Sequence, residues 1–304
     1  VPMLVVSPWS TGGYVCSQTF DHTSIIRFLE ERFGVHEPNI SAWRRTVCGD
    51  LTSAFDFSKT QTRKPALPSV AAFEPAYGES EPSYHPVPPT QQSLPAQEPG
   101  QRPARPLPYA LSVNGRAERD SGRYWLDFDN DGAAGVSFLV TSGNRTDGPW
   151  TYTVDAYNSL SDYWTSSVSG GVYDLSVYGP NGFLRSFRGT QPAARGNQAV
   201  PEAVLRLGGK NGGRPNSRIT INLINLGKKP CVFTVTPKAY LDGPARHYVV
   251  MPGGNVPDVW DVKSSDHWYD LEVTVDSDAE FSRRFAGHVE TGKPSVSDPA
   301  LGQR

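Results

Sequence analysis

Asp21-His22-Thr23-Ser24 sets a carboxylate, an imidazole and two hydroxyls on four consecutive positions, just ahead of a run with helical periodicity. A carboxylate beside an imidazole can ligate a divalent metal or orient a phosphoryl oxygen. The free N–H groups and dipole of a helix start also favour anions. His22 and Asp21 are therefore the candidate catalytic residues, although Asp21 serves equally as a plain helix N-cap. The chain reaches them through Ser7-Pro8-Trp9-Ser10-Thr11-Gly12-Gly13, a polar loop rich in small residues. Elsewhere, His247, His267 and His288 are scattered among strand and turn patterns and read as isolated surface histidines.

The elements that must position the motif can be read around it. Val1-Pro2-Met3-Leu4-Val5-Val6 is a short apolar run stopped by Ser7-Pro8, the pattern of a strand buried on both faces in a parallel sheet. Ligands of open α/β sheets bind beyond the carboxyl ends of such strands. The helix that follows has Asp21 or Thr23 as its cap and Gly34 as its stop, with Ile25, Ile26, Leu29 and Phe33 as an apolar stripe. Residues 1–57 thus read as strand, loop, helix and tail. A buried strand needs neighbours, so this region is expected to be the end of a larger α/β domain.

Residues 58–108 hold twelve of the 27 prolines and read as an extended connector or strap, with Phe73, Tyr77, Tyr84 and Leu94 available to pin it. From residue 109 the texture becomes short Val/Thr/Tyr/Phe runs broken by Gly, Asn and Asp, the rhythm of strands. These runs repeat. Asn130-Asp131-Gly132 recurs as Asn225-Leu226-Gly227, Trp164 and Tyr173 recur as Trp260 and Tyr269, and Arg185-Ser186-Phe187 recurs as Arg283-Arg284-Phe285. Two antiparallel β-sandwich modules follow, residues 109–190 and 191–291, with a frayed tail at 292–304. The fold class is mainly β, preceded by a strand–loop–helix remnant of an α/β domain.

Duplication also filters motifs. Asp127-Phe128-Asp129-Asn130-Asp131-Gly132 opens like a calcium loop, but position twelve is Phe138 and the second copy lacks the aspartates. What both copies keep is Asn-x-Gly, read as a turn tolerant of positive φ. Trp150 has no counterpart in the second module, which makes it the candidate residue for touching lipid, sugar or a partner surface, the alternative being burial against a neighbouring domain.

Composition bounds the rest. Among 304 residues the net charge is −2, which argues against nucleic acid as a partner. No window approaches the ~20 apolar residues of a membrane helix. Three cysteines exclude a disulfide scaffold; a Cys16–Cys48 pair is left open, with Cys231 unpaired.

Several segments resemble one family. Ser-Pro-Trp-Ser-x-Gly-Gly from Ser7, Phe-Asp-His-Thr-Ser from Phe20, Arg-Phe-Leu-Glu-x-Arg-Phe-Gly-Val from Arg27, Pro38–Arg45, Gly49–Phe57 and Arg102–Tyr109 are similar to bacterial phosphocholine-preferring phospholipases C. The resemblance implies an alkaline-phosphatase-like α/β catalytic domain, release of phosphocholine from phosphatidylcholine or sphingomyelin, two C-terminal accessory β domains, and export to the periplasm or medium. It also implies that the family's metal-binding Glu-Asn motif, nucleophile and Asp-Glu motif lie upstream of this chain. A divalent metal would then be held mainly by residues not present here, no cofactor being assignable from this chain, and the chain alone would be inactive. Only Asp21, His22, Thr23 and Ser24 inherit an active-site motif. The implied partners are phospholipid or a membrane surface, and a helper protein or upstream catalytic part. The alternative is a non-catalytic tandem β module that binds membrane, sugar or protein.

Overall fold

Strands that alternate Val, Phe and Tyr with Ser, Asp and Arg require a sheet with one face covered. The computed structural model describes residues 3–58, 69, 87–88, 90–93, 99–192, 196–209 and 215–301. After a short strand β1 (Pro103–Ala104) come β2 (Leu111–Glu118), β3 (Arg123–Asn130), β4 (Val136–Ser142), β5 (Trp150–Val154), β6 (Asn158–Thr165), β7 (Val172–Tyr178) and β8 (Leu184–Thr190). The second copy supplies β9 (Pro201–Leu207), β10 (Arg218–Asn225), β11 (Cys231–Ala239), β12 (Arg246–Val250), β13 (Asn255–Asp261), β14 (Trp268–Val275) and β15 (Asp278–His288), and β16 (Ser295–Val296) follows.

Within each copy a three-stranded sheet, β2-β3-β6 or β9-β10-β13, packs on a four-stranded one. Phe128 meets Phe138 across the layers at 5.4 Å, and Tyr152 meets Trp164 edge-on at 6.0 Å. Trp164, Trp260, Tyr173 and Tyr269 are all buried, as the repeat predicts for core anchors. The two copies are not beads on a string, however. Strands β8 and β15 pair, so the four-stranded halves fuse into one eight-stranded antiparallel sheet, β12-β11-β14-β15-β8-β7-β4-β5. On the other layer the Asn114 side chain joins the copies like a strand residue. It accepts from the Leu205 N–H at 2.9 Å and donates to the Leu205 carbonyl at 3.2 Å.

The Asn-x-Gly motif has a different cause from the one its sequence suggests. Neither Asn130, Asn225, Gly132 nor Gly227 has positive φ. Asn130 is buried and donates to the carbonyls of Ala134 and Asp155 while accepting from the Gly132 N–H. Asn225 does the same with Lys229, Val250 and Gly227. The glycine is needed for close approach: a Cβ on Gly132 would lie 2.5 Å from the Pro108 carbonyl, and one on Gly227 would collide with that of Gln198. Asp127 and Asp129 lie on strand β3, where Asp127 pairs with Arg116 and accepts from Ser161.

Other expectations are corrected. Residues 3–6 form no strand, and Met3, Leu4 and Val6 are 53%, 87% and 88% exposed. No strand among the described residues hydrogen-bonds to this run. The first such contact is at Val15, which bridges Ala104 of β1 in parallel. The described part of the C-terminal tail, residues 292–301, is pinned to the modules. Strand β16 pairs with β1, the Trp268 indole donates to Val296 and the Tyr240 hydroxyl to Asp298. His288 is not a surface histidine either: it sits between Glu290 (2.9 Å) and Ser295 (3.0 Å) and helps hold that tail. Most of the proline-rich stretch lies outside the described residues. No helix among those described is long and apolar enough to cross a membrane.

Candidate functional site

The N-terminal segment is built on helix α1 (His22–Phe33) and a shorter α2 (Ala42–Val47). Asp21 is the α1 cap. Its carboxylate accepts from the Thr23 N–H at 2.8 Å, the Ser24 hydroxyl accepts from the Asp21 N–H at 3.1 Å, and Arg44 completes an ion pair. Burial pushes the Asp21 carboxyl up, but the bonds from Thr23 and Arg44 outweigh it, and the group is held below the usual carboxylate range. Gly34 ends the helix in the left-handed region, as the sequence predicts.

The face of α1 that packs carries Ser24, Arg27, Phe28 and Glu30, with Phe28 stacked on Phe55 at 5.2 Å. Arg27 donates to the carbonyls of Arg45 and Cys48, supplying donors to the end of α2. Glu30 takes both nitrogens of the Arg45 fork at 2.9 Å. The apolar stripe of Ile25, Ile26, Leu29 and Phe33 faces outward, at 41–66% exposure. The segment is tied to the first β module by the Thr19 N–H donating to the Tyr109 hydroxyl (3.1 Å) and by the Trp43 indole donating to Thr153 (2.9 Å).

Two grooves result. One, of about 620 Å³, runs between α2 and the start of β4 and is lined by Arg27, Arg45, Asp50, Gly135 and Asp155. The larger, of about 1000 Å³, is walled by the loop from Met3 to Tyr14 together with Cys16, Gln18, Phe20, Leu51 and Arg105. Asp21 and His22 line neither groove. His22 is exposed on the first turn of α1, while the Asp21 carboxylate is engaged by Thr23 and Arg44. The structure therefore does not bring the pair together as a ligand set. Trp150 begins β5 half-buried, 5.5 Å edge-on to Trp164 and with Arg145 over its ring. Among the described residues no three His, Cys, Asp or Glu side chains converge to hold a metal, so no step through a metal is derived. Cys16, Cys48 and Cys231 are free thiols.

Sequence reasoning missed Arg105. Its signal lay in Arg102-Pro103-Ala104-Arg105-Pro106, where prolines on either side of an arginine fix the path of the chain past the N-terminal loop.

Comparison with known proteins completes the picture. Residues 103–190 and 197–288 each match the family described as bacterial phospholipase C, C-terminal domain, and residues 1–36 match the phosphoesterase family. A non-hemolytic phospholipase C from Burkholderia pseudomallei is 51% identical over 305 residues, covering 99% of this chain and 43% of its own length. Pseudomonas aeruginosa has a non-hemolytic and a hemolytic phospholipase C at 42% and 40% identity, covered over 43% and 44% of their lengths. The chain thus spans less than half the length of each of these relatives. The two matched repeats, fused through one sheet behind a phosphoesterase-type segment, place this chain in the bacterial phospholipase C C-terminal domain family.

Proposed function

We propose that the chain is the C-terminal part of a phospholipase C that releases phosphocholine from phosphatidylcholine or sphingomyelin, with the main catalytic residues supplied from outside these 304 residues. The observation that carries this reading is the continuous attachment of a phosphoesterase-type segment to the duplicated C-terminal domain. On this reading residues 1–57 complete an alkaline-phosphatase-like α/β domain, and the outward apolar stripe of α1 packs against its remainder. Asp21 fixes the first turn of α1, and His22, exposed beside it, contacts a phosphoryl oxygen. Trp150 is the residue assigned to the lipid surface, and a helper protein and export of the whole enzyme belong to the same proposal.

The test is a chimera in which this chain replaces the corresponding part of the Burkholderia pseudomallei relative. It is expected to hydrolyse p-nitrophenylphosphorylcholine, while the 304-residue chain alone is inert. An inert but folded chimera, or turnover by the chain alone, overturns the proposal. His22→Ala in the chimera lowers turnover and Trp150→Ala weakens binding to phosphatidylcholine vesicles. Secretion is read by fractionating the producing cells.

A further inference from the structure

Arg105 sits where the N-terminal loop meets the β modules and is 8% exposed. Its Nε is buried without a hydrogen-bond partner, and its Nη2 reaches only the Trp9 carbonyl, at 3.5 Å. Among the described residues no carboxylate pairs with it. The cation is instead stacked on Tyr14, with its guanidinium carbon 4.0 Å from the ring centroid. Burying a charge without a partner is costly, and an anion bound beside the guanidinium would offset that cost.

Arg105 lines the larger groove together with Ser7, Gly12, Gly13, Cys16 and Asp56, the last a carboxylate that accepts from the Ser58 N–H and hydroxyl. On the loop that walls this groove, the amides of Thr11, Gly12 and Gly13 make no backbone hydrogen bond among the described residues and are neutral donors lining the same cavity. A guanidinium edge and backbone amides together suit an oxyanion, which takes paired donors from the fork. We infer that this groove is an oxyanion-binding site with Arg105 as its charged group, and that its ligand is of the phosphate class. The choice of phosphate over other oxyanions rests on the phosphoesterase reading above.

The experiment titrates the 304-residue chain calorimetrically with inorganic phosphate and, separately, with glycerophosphocholine, using acetate as the control. The first ligand represents free phosphate and the second a lipid headgroup; the tighter arm names the source. At least one arm is expected to bind, and Arg105→Gln is expected to weaken it at least tenfold with an unchanged melting temperature. Arg105→Lys, which keeps the charge without the fork, is expected to fall between. Cys16 lies in the same groove, so phosphate is also expected to slow its alkylation by iodoacetamide in the unmodified chain. Absence of binding in both arms, or binding that survives Arg105→Gln, overturns the inference. So does loss of folding in both variants without protection of Cys16, since Arg105 is then only a strut on Tyr14. Failure of the hydrolase chimera leaves these titrations unchanged, so the two readings fail separately.

Discussion

Arg185 of the first module donates to the Tyr269 hydroxyl of the second at 2.7 Å, and Arg283 of the second donates to Tyr173 of the first at 2.6 Å. The exchange is symmetric because β8 and β15 pair about Ser186 and Arg284, which sets each arginine opposite the other module's phenylalanine. Arg185 lies over Phe183 and Arg283 over Phe281, both at 4.1 Å. The symmetry breaks at one place. Arg283 also holds Glu202 through Nε at 2.7 Å, whereas the Arg185 Nε is buried without a partner.

That asymmetry sets an order of stability effects. Arg283→Met strands the Glu202 carboxylate in the core, and breaking a buried pair from one side costs about 3–5 kcal/mol. Arg185→Met strands no carboxylate that bonds it, so its cost is expected to be smaller. Adding Glu202→Gln to Arg283→Met recovers part of the loss. Urea unfolding followed by fluorescence and circular dichroism measures all three; an equal or larger cost at Arg185 contradicts the order.

Asn130 and Asn225 carry the same duty in the two copies, so their loss should read alike. Each substitution to Ala leaves buried carbonyls unsatisfied, at about 1–3 kcal/mol per site. Gly132→Ala and Gly227→Ala force backbone against backbone and should cost at least as much. Thermal melts of the four single variants check this, and a harmless Gly132→Ala would remove the close-approach explanation.

The sequence's legibility followed the range of the physics. The α1 cap at Asp21 and stop at Gly34 depend on neighbours in sequence and were readable, as were the repeated anchors Trp164 and Trp260, because duplication marks what the core needs. What escaped depends on distant partners. Arg185 and Arg283 look like surface residues until β8 meets β15. The stripe of Ile25, Leu29 and Phe33 predicts a buried face, but Arg27 and Glu30 find better partners at the end of α2. His288 gives no local sign of Glu290 and Ser295 closing around it. Arg105 is a site candidate only because Tyr14 and Trp9 arrive from ninety residues upstream.

The three thiols should separate by reactivity. Burial pushes the Cys48 and Cys231 thiols up to about 11, leaving about one thiolate in a thousand at pH 8. Cys16 is partly exposed beside Ser53. Ellman's reagent on the native chain at pH 8 should therefore find one fast thiol, with the other two appearing only after denaturation. Fast labelling of Cys48 would mean that the junction of α2 with the Gly49 loop opens freely.

Acid should loosen the N-terminal segment through Glu30. Bonds from the Arg45 fork and the Glu37 N–H bring its carboxyl from an ordinary 4.5 down to about 2. The folded value lies below the unfolded one, so the stabilisation is complete above about pH 4.5 and drains away as the pH falls towards 2. Asp21, held low by Thr23 and Arg44 against its burial, acts in the same direction. Because α2 carries Trp43, whose indole is bonded to Thr153, a fluorescence titration from pH 6 to 2 follows the release of α2 from β5. Glu30→Gln removes the titrating group, so its melting temperature should start lower at pH 6 and fall less steeply below pH 4.5 than that of the unmodified chain. If the two curves run parallel through this window, the Glu30–Arg45 pair does not couple the segment to the proton.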